Sequence, residues 1–312
     1  MSLYLKHRPR SFERMVGNSS LIKTLEGVLS KEDRPHTFLL HGPTGCGKTT
    51  LARIITKKVG ATGLDIREVN TADNRGIDTV RDIIQKMQFK PIESEAVVWI
   101  IDECHKLSND AQNAFLKPLE DTPPHVYFIL CTTDPERLLG TIKGRCSQYQ
   151  VKALTEEEML LLLKRVVRKE EETLDDKVYD IIVRDSFGYP RNALQILEQV
   201  LQAPVTDRAK VAEQAHFEYS QTIELCRALL NDKTQWKQVS TILAGLKEQE
   251  PEGIRRMVLG YCQAILLKGD NWRAGLVMEE FISPFYDTGF PQLVYACYSI
   301  IKTKFDKSFL RF

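Results

Sequence analysis

At 312 residues the chain is long enough for two or three domains. Apolar residues make up 43%, enough for ordinary buried cores, and 43 Lys+Arg against 42 Asp+Glu leave a net charge of +1. That balance excludes a globally basic nucleic-acid binder, so any such contact must come from a local basic patch. The seven cysteines are odd in number and contain no C-x-x-C pair. They argue against a disulfide framework or a zinc ribbon and fit free thiols in a reducing interior. The start, MSLYLKHRPR, is polar and lacks the apolar core of a secretory signal, and no apolar stretch approaches a membrane span. The expectation is a soluble intracellular protein with no membrane partner.

In chain order, TFLLH (37–41) reads as a strand, and the helix after it places Leu51, Ile54, Ile55 and Val59 on one face. IREV (66–69) is a second strand. GIDTVRDIIQKM (76–87) is an amphipathic helix with Ile77, Val80, Ile83, Ile84 and Met87 on one side. VVWIID (97–102) is a continuous apolar run, as a buried parallel strand requires. SNDAQNAFLKPLE (108–120) is helical, with Ser108 as N-cap and Ala111, Phe115 and Leu119 four apart. VYFILCT (126–132) is another buried strand and QYQV (148–151) a short last one. This alternation predicts an α/β fold: a parallel sheet with helices on both faces.

The pattern changes after residue 152. TEEE (155–158) is a capping box, with Thr155 as N-cap and Glu158 at the third helical position. The helix it opens closes in a charged run, RKEEET (168–173). DDKVYDIIVRD and NALQILEQVL complete a small helical unit that ends near QAPVTDR (202–208). Residues 209–312 are helical again. IRRMVLGYCQAILL (254–267) carries the stripe Ile254, Met257, Val258, Tyr261, Cys262, Ile265 and Leu266, read as helix-bundle core.

GPTGCGKT (42–49) matches G-x-x-x-x-G-K-[ST] between a predicted strand and a predicted helix, the context that defines a phosphate-binding P-loop. Gly42, Gly45 and Gly47 let the backbone turn its N–H groups toward phosphate oxygens, with Pro43, Thr44, Cys46 and Thr50 in or beside the loop. Lys48 supplies a point charge to the β- and γ-phosphates, the Thr49 hydroxyl is a Mg²⁺ ligand, and the helix N-terminus adds partial positive charge. Asp102, at the end of an apolar strand about fifty residues past the loop, is the expected second metal-holding residue, and Glu103 is placed to polarise an attacking water. DECH (102–105) resembles the box of superfamily-two helicases. That reading needs a second recombination-like domain with its own arginine motifs, which the helical remainder does not supply. Thr132 and Thr133 end the next strand, where a hydroxyl can orient the water.

Taken together, these motifs resemble the ATPase subunits of sliding-clamp loaders: the small subunits of replication factor C and the bacterial gamma/tau subunits, which are AAA+ proteins. The resemblance runs in order through roughly residues 4–200. It begins with YLKHRP (4–9), similar to the family's tyrosine-to-Arg-Pro start near the adenine, and VGN (16–18). After the P-loop come RGIDTVR (75–81), IDECHKLSNDAQNAFLKPLEDTPP (101–124), CTTDPERL, GRC and FGYPRNALQIL (187–197). The last hundred residues resemble the family only in being helical. The four-cysteine zinc module typical of the bacterial subunits is absent, and Cys146 is expected to be a buried small apolar residue.

The resemblance implies an AAA+ nucleotide-binding domain (1–152), a helical lid (153–206) and an all-α collar for oligomerisation (207–312). It implies that Tyr4, Arg8, Pro9, Val16 and Gly17 lie near the nucleotide, that Thr133 is the first sensor, and that Arg191 is the second, reaching the γ-phosphate from the lid. Arg145 matches the arginine finger of the family's Ser-Arg-Cys motif, which acts in trans on a neighbour's nucleotide. Here the serine is Gly144, which is expected to loosen the finger's backbone. Arg75 and Arg81 match the helix that tracks the DNA backbone. The implied function is an ATPase, stimulated by clamp and DNA, that uses ATP and Mg²⁺. It would act in an oligomer of like or related subunits, pentameric in the family. ATP binding would open the clamp and grip primer–template DNA without reading its sequence, and hydrolysis would release the loaded clamp. The alternatives are a non-hydrolysing structural subunit of the same assembly, or another AAA+ DNA-remodelling ATPase.

Overall fold

The five predicted strand segments become five parallel strands: β1 (Thr37–His41), β2 (Ile66–Asn70), β3 (Val97–Asp102), β4 (Val126–Thr132) and β5 (Ser147–Gln150). The computed structural model describes residues 1–71, 75–247, 249, 251–267, 269–285 and 288–303, with backbone alone at 213–220 and 264. The strand order is β2-β3-β4-β1-β5, so each neighbour pair is reached by a crossover. The register places His41 opposite Thr132 and Asn70 opposite Asp102. The carboxyl ends of β1, β2, β3 and β4 therefore open onto one edge, where parallel α/β sheets bind ligands.

The helices of this part are α1 (Leu3–Lys6), α2 (Ser19–Leu29), α3 (Lys48–Lys58), α4 (Ile77–Lys86), α5 (Asn109–Glu120) and α6 (Gly140–Lys143). They cover both faces. On one, α2 and α3 bury Leu25, Leu51, Ile54 and Ile55 against Phe38, Leu40, Val98 and Ile100. On the other, α4, α5 and α6 bury Val80, Ile83, Phe115 and Ile142 against Leu39, Trp99, Phe128 and Leu130. Alternate residues of β1, β3 and β4 serve the two cores, which is why these strands read as apolar runs. Each large side chain fully buried this way contributes about 1.5–3 kcal/mol. Ser108 caps α5 through Ala111 N–H, as its sequence position predicts. Cys146 is half-buried at the edge of the second core, less enclosed than the sequence suggested, because short β5 ends the sheet beside it.

Three more helices follow: α7 (Glu156–Lys169), α8 (Asp176–Ser186) and α9 (Pro190–Gln202). Thr155 and Glu158 make the reciprocal capping box that opens α7. The three pack on one another through Met159, Leu163, Ile182 and Leu197, and α1 packs on α9.

The chain divides into two compact units, 1–212 and 213–312, and the boundary falls inside one helix, α10 (Arg208–Leu230). The second unit is all-helical, with α11 (Trp236–Gly245), α12 (Pro251–Leu266), α13 (Trp272–Phe281) and α14 (Phe290–Lys302). Its core takes Leu225 and Leu229 from α10, Val239 and Leu243 from α11, and Phe281 and Leu293 from α13 and α14. From α12 it takes Ile254, Val258 and Cys262 with Tyr261, Ile265 and Leu266 partly buried, so most of the expected stripe is core; Met257 is half-buried outside that cluster. The same helix also buries a charged pair. Glu252 accepts both arms of Arg255 at 2.7 and 2.8 Å and the Phe285 N–H at 3.0 Å, while Arg255 Nη1 donates to the Phe281 and Ile282 carbonyls. Among the described residues no helix is long and apolar enough to cross a membrane.

Candidate functional site

The loop between β1 and α3 carries the phosphate-binding motif. Gly42 has φ +149°, and a Cβ there would lie 2.0 Å from the Val151 carbonyl oxygen. Gly47, at φ +100°, is the N-cap of α3 and leaves the first-turn N–H groups without a side-chain cap, and the first turn itself carries no acidic residue. An uncapped 11-residue helix opened by such a loop suits an anion. Lys48 is 6% exposed and folds its ammonium back onto the loop, donating to the Gly42 carbonyl at 2.8 Å and the Pro43 carbonyl at 2.9 Å. Burial pushes its pKa down, opposed by the nearby Glu103 and Asp102 carboxylates. Cys46 is buried in the same loop, and its thiol is pushed up to about 11 by burial, so it is an inert packing group.

The acidic pair stands opposite. The Thr49 hydroxyl donates to Asp102 Oδ2 at 2.9 Å. One hydroxyl and one carboxylate converging on the phosphate loop form a hard-oxygen donor set, and these residues fit a Mg²⁺ ion that completes its shell with phosphate and water. Glu103 follows with φ +52°, a left-handed conformation unusual for a residue with a side chain. Hydrogen bonds hold it there. The Glu103 N–H donates to Asp102 Oδ1 at 3.0 Å, and Thr71, fully buried, donates its hydroxyl to the Glu103 and Asp102 carbonyls at 2.6 and 3.0 Å. The turn aims the Glu103 carboxylate at the end of β4, where Thr133 donates to it at 3.2 Å. His105 Nδ1 lies 3.4 Å from the same carboxylate and 3.0 Å from Thr132 Oγ1. Of the β4 threonine pair, Thr133 thus meets Glu103, while Thr132 is buried.

Two adjoining hollows make up the cleft. The polar one is lined by Thr44, Gly45, Lys48, Thr49, Asp102 and Glu103, with Arg8 and Arg191 at its mouth. The apolar one is lined by Tyr4, Pro9, Val16, Thr50, Leu154 and Leu194, and also by Arg8 and Arg191. Gly17 does not line either hollow; its φ of +74° turns the chain beneath Leu154. The Arg191 guanidinium carbon is 5.8 Å from the centre of the Tyr4 ring, and the Arg191 Cβ lies 3.4 Å from where a Gly45 Cβ would be. The cleft's rim is positive: burial and the neighbouring Arg53 and Arg191 push the Arg8 pKa down. Arg53 is itself neutralised by a two-armed contact with Glu68 at 2.6 and 2.7 Å.

Three predicted residues lie elsewhere. Arg145 does not line the cleft; it follows α6 and contacts Glu120 at the end of α5. Gly144 before it has φ −69° and ψ −17°, and its N–H donates to the Gly140 carbonyl at 2.9 Å. The expected looseness is not needed there, since any residue adopts that helical conformation. Arg75 is exposed just before α4, and Arg81 is exposed within it and reaches Asp78 at 3.0 Å. Sequence reasoning missed Thr71, His105, His7, Met15, Leu154, Leu162 and Asn70. The register of β2 against β3 brings in Asn70 and Thr71, the turn after β3 brings His105 beside Thr132, and the N-terminal segment and the lid bring His7, Met15, Leu154 and Leu162 to the apolar hollow.

Residues 62–155 match the family described as DNA polymerase III, delta subunit. The chain is 33% identical over 224 residues to DNA polymerase III subunit gamma/tau of Mycobacterium tuberculosis, covering 64% of this chain and 39% of that protein. It is 35% identical over 221 residues to subunit tau of Bacillus subtilis, covering 64% and 39%. With subunit gamma of Buchnera aphidicola the identity is 33% over 217 residues, covering 63% and 60%. The matched stretch thus spans less than two thirds of these relatives' length. The resemblance to the gamma/tau type of clamp-loader subunit is borne out. In fold, the chain is similar to the Thermotoga maritima RuvB Holliday junction branch migration motor, with TM-score 0.58 and 20% identity over 72% of this chain and 79% of that one. The α/β AAA+ fold read from the sequence is the fold the chain adopts.

Proposed function

We propose that this homologue of the gamma/tau subunits is an ATP-hydrolysing subunit of a sliding-clamp loader. The observation that carries the reading is the Thr49–Asp102 contact of 2.9 Å with Glu103 beside it, held 3.2 Å from Thr133. A subunit that used ATP only to staple an interface would need the loop but not this arrangement of acid and hydroxyl.

In this reading the base lies in the apolar hollow beside Tyr4, Pro9 and Val16, and the phosphates lie along Gly42–Thr49. Lys48 exchanges its two carbonyl acceptors for phosphate oxygens, so no new side-chain ordering is required. Thr49 and Asp102 hold Mg²⁺, which when bound offsets the charge of the phosphate oxygens. Glu103 orients water for attack at the γ-phosphorus and accepts its proton, and Thr133 fixes the direction of that carboxylate. Arg191 reaches the γ-phosphate from the helical lid of its own chain. Arg145 serves the nucleotide of a neighbouring subunit, which fits its position outside the chain's own cleft.

The wider role follows the family. Domains at 1–152, 153–206 and 207–312 act as motor, lid and collar, and several like or related subunits, five in the family, assemble through the collar. ATP binding organises the ring to hold an open clamp and to grip primer–template DNA through backbone contacts from Arg75 and Arg81. Hydrolysis releases the loaded clamp. The work is done by a soluble protein inside the cell. The test is ATP turnover of the purified assembly with clamp and primed DNA. Glu103→Gln should keep nucleotide binding and lower stimulated turnover about 10²–10⁴-fold. Turnover that Glu103→Gln leaves unchanged would support the stapling subunit instead.

A further inference from the structure

A charged run, RKEEET (168–173), closes α7. Its first acid is not solvated. Glu170, the C-cap of α7, turns back to the first helix of the chain. One carboxylate oxygen lies 2.7 Å from Lys6 Nζ and the other 2.5 Å from His7 Nε2. The side chains of His7 and Glu170 are 8% and 18% exposed, so the contact is largely shielded from water. The Lys6 bond, aided by His7, holds the Glu170 carboxyl below its ordinary range.

What the contact secures is a wall of the cleft. Tyr4, His7, Arg8 and Pro9 all line the apolar hollow. The helix that carries this segment, α1, has four residues and no side-chain cap. A helix that short does not hold itself in water, so its position is set by tertiary contacts. Those contacts lead to the lid: α1 packs on α9, Tyr4 lies under Arg191, and Glu170 grips Lys6 and His7 from α7.

We propose that Glu170 is a positioning residue for the nucleotide base: it fixes the wall formed by Tyr4, His7, Arg8 and Pro9 to the lid, without touching the nucleotide. This rests on reading the cleft as an ATP site. Tyr4, His7 and Pro9 line only the apolar hollow, where the base lies, so loss of this wall weakens ATP and ADP alike and leaves the chemical step untouched.

The experiment titrates the full chain, with Mg²⁺, against fluorescent ATP and ADP analogues, and measures turnover at saturating ATP. Glu170→Ala should weaken both nucleotides about three- to tenfold, the range for losing a partly shielded charge-assisted contact, with saturated turnover within about twofold. Lys6→Ala, at a half-exposed side chain, should weaken both less. The double variant should bind no worse than Glu170→Ala, because both changes break one contact. Unchanged binding in Glu170→Ala overturns the proposal, as do additive effects or a loss confined to ATP. If Glu170→Ala does not fold, wild-type binding in Lys6→Ala overturns it. A wild-type chain that binds neither analogue overturns the ATP-site reading, and the positioning role with it; a wild type that binds both, with unaffected variants, overturns the positioning role alone.

Discussion

Arg145 places its Nη2 and Nε 3.0 and 3.2 Å from one oxygen of Glu120, while its Nη1 donates to the Thr141 carbonyl at 3.1 Å. The proposed trans-acting finger is therefore engaged within its own chain, at the end of α5. Glu120 is 62% exposed, and an ion pair so open to water contributes at most about 1 kcal/mol. A neighbour's phosphate can displace it. Glu120→Gln should shift the unfolding free energy by less than about 1 kcal/mol in urea melts. Arg145→Ala should leave nucleotide binding intact while turnover of the assembly with clamp and DNA falls by roughly three orders of magnitude. Unchanged turnover would remove Arg145 from the reaction.

Two glycines, one in the phosphate loop and one before Arg145, make opposite demands. An added Cβ at Gly42 meets the Val151 carbonyl oxygen at 2.0 Å, with the backbone at φ +149°. Gly42→Ala should destabilise the chain on the order of 3–5 kcal/mol or displace the phosphate loop, and nucleotide binding should be lost in either case. At Gly144 the nearest atom to an added Cβ is the Gly140 carbonyl oxygen at 3.5 Å, an ordinary contact, and φ is −69°. Gly144→Ser, which restores the family's residue, should leave stability unchanged or raise it by up to about 1 kcal/mol. Calorimetry of the two variants separates these outcomes.

Asp65 predicts a pH effect. Its fully buried carboxylate accepts the N–H groups of Ile92, Glu93 and Ser94 and the Ser94 hydroxyl, all at 2.7–2.9 Å. Burial pushes the carboxyl up, but these donors outweigh it and hold its pKa below the ordinary value. The folded state thus binds the proton less readily than the unfolded state. The resulting stability is fully present above the ordinary carboxylate range and is lost as pH falls through and below it. Asp65→Asn puts an amide against these donors and should cost about 2–3 kcal/mol at pH 7. In urea melts the gap to wild type should narrow below about pH 4. A gap constant across pH would show that the carboxylate charge is not what holds the 92–94 turn.

In the helical unit, Glu252 is the acceptor on which α12 and the turn after α13 converge. Glu252→Ala leaves Arg255 buried without its counter-charge, and should cost about 3–5 kcal/mol. Changing Glu252 and Arg255 together to apolar residues should cost less than Glu252→Ala alone, because no charge is then stranded. Chemical denaturation of the single and double variants tests this; a double variant as unstable as the sum of its parts would refute it.

The sequence by itself determined the strands, the two-faced sheet, the capping box at Thr155 and the phosphate loop. Each depends on residues close together in the chain: apolar runs, a 3.6-residue stripe, a cap three residues from its partner, glycines at fixed spacing. It also marked Asp102 and Glu103, because acids at the end of an apolar strand about fifty residues past a phosphate loop point to that loop. Tertiary structure decided what depended on contacts between distant segments. Thr71 holds the Glu103 backbone because β2 and β3 are in register at Asn70 and Asp102. Glu170 faces Lys6 and His7 across more than 160 residues, from a stretch the sequence marks only as a charged run. Arg255 sits in the polar gaps of an amphipathic pattern and is buried all the same, since Glu252 and two backbone carbonyls satisfy its donors. Periodicity tells which face of a helix is apolar. Whether a charge on the other face meets water or a partner depends on what folds over it, and that information is spread across the whole chain.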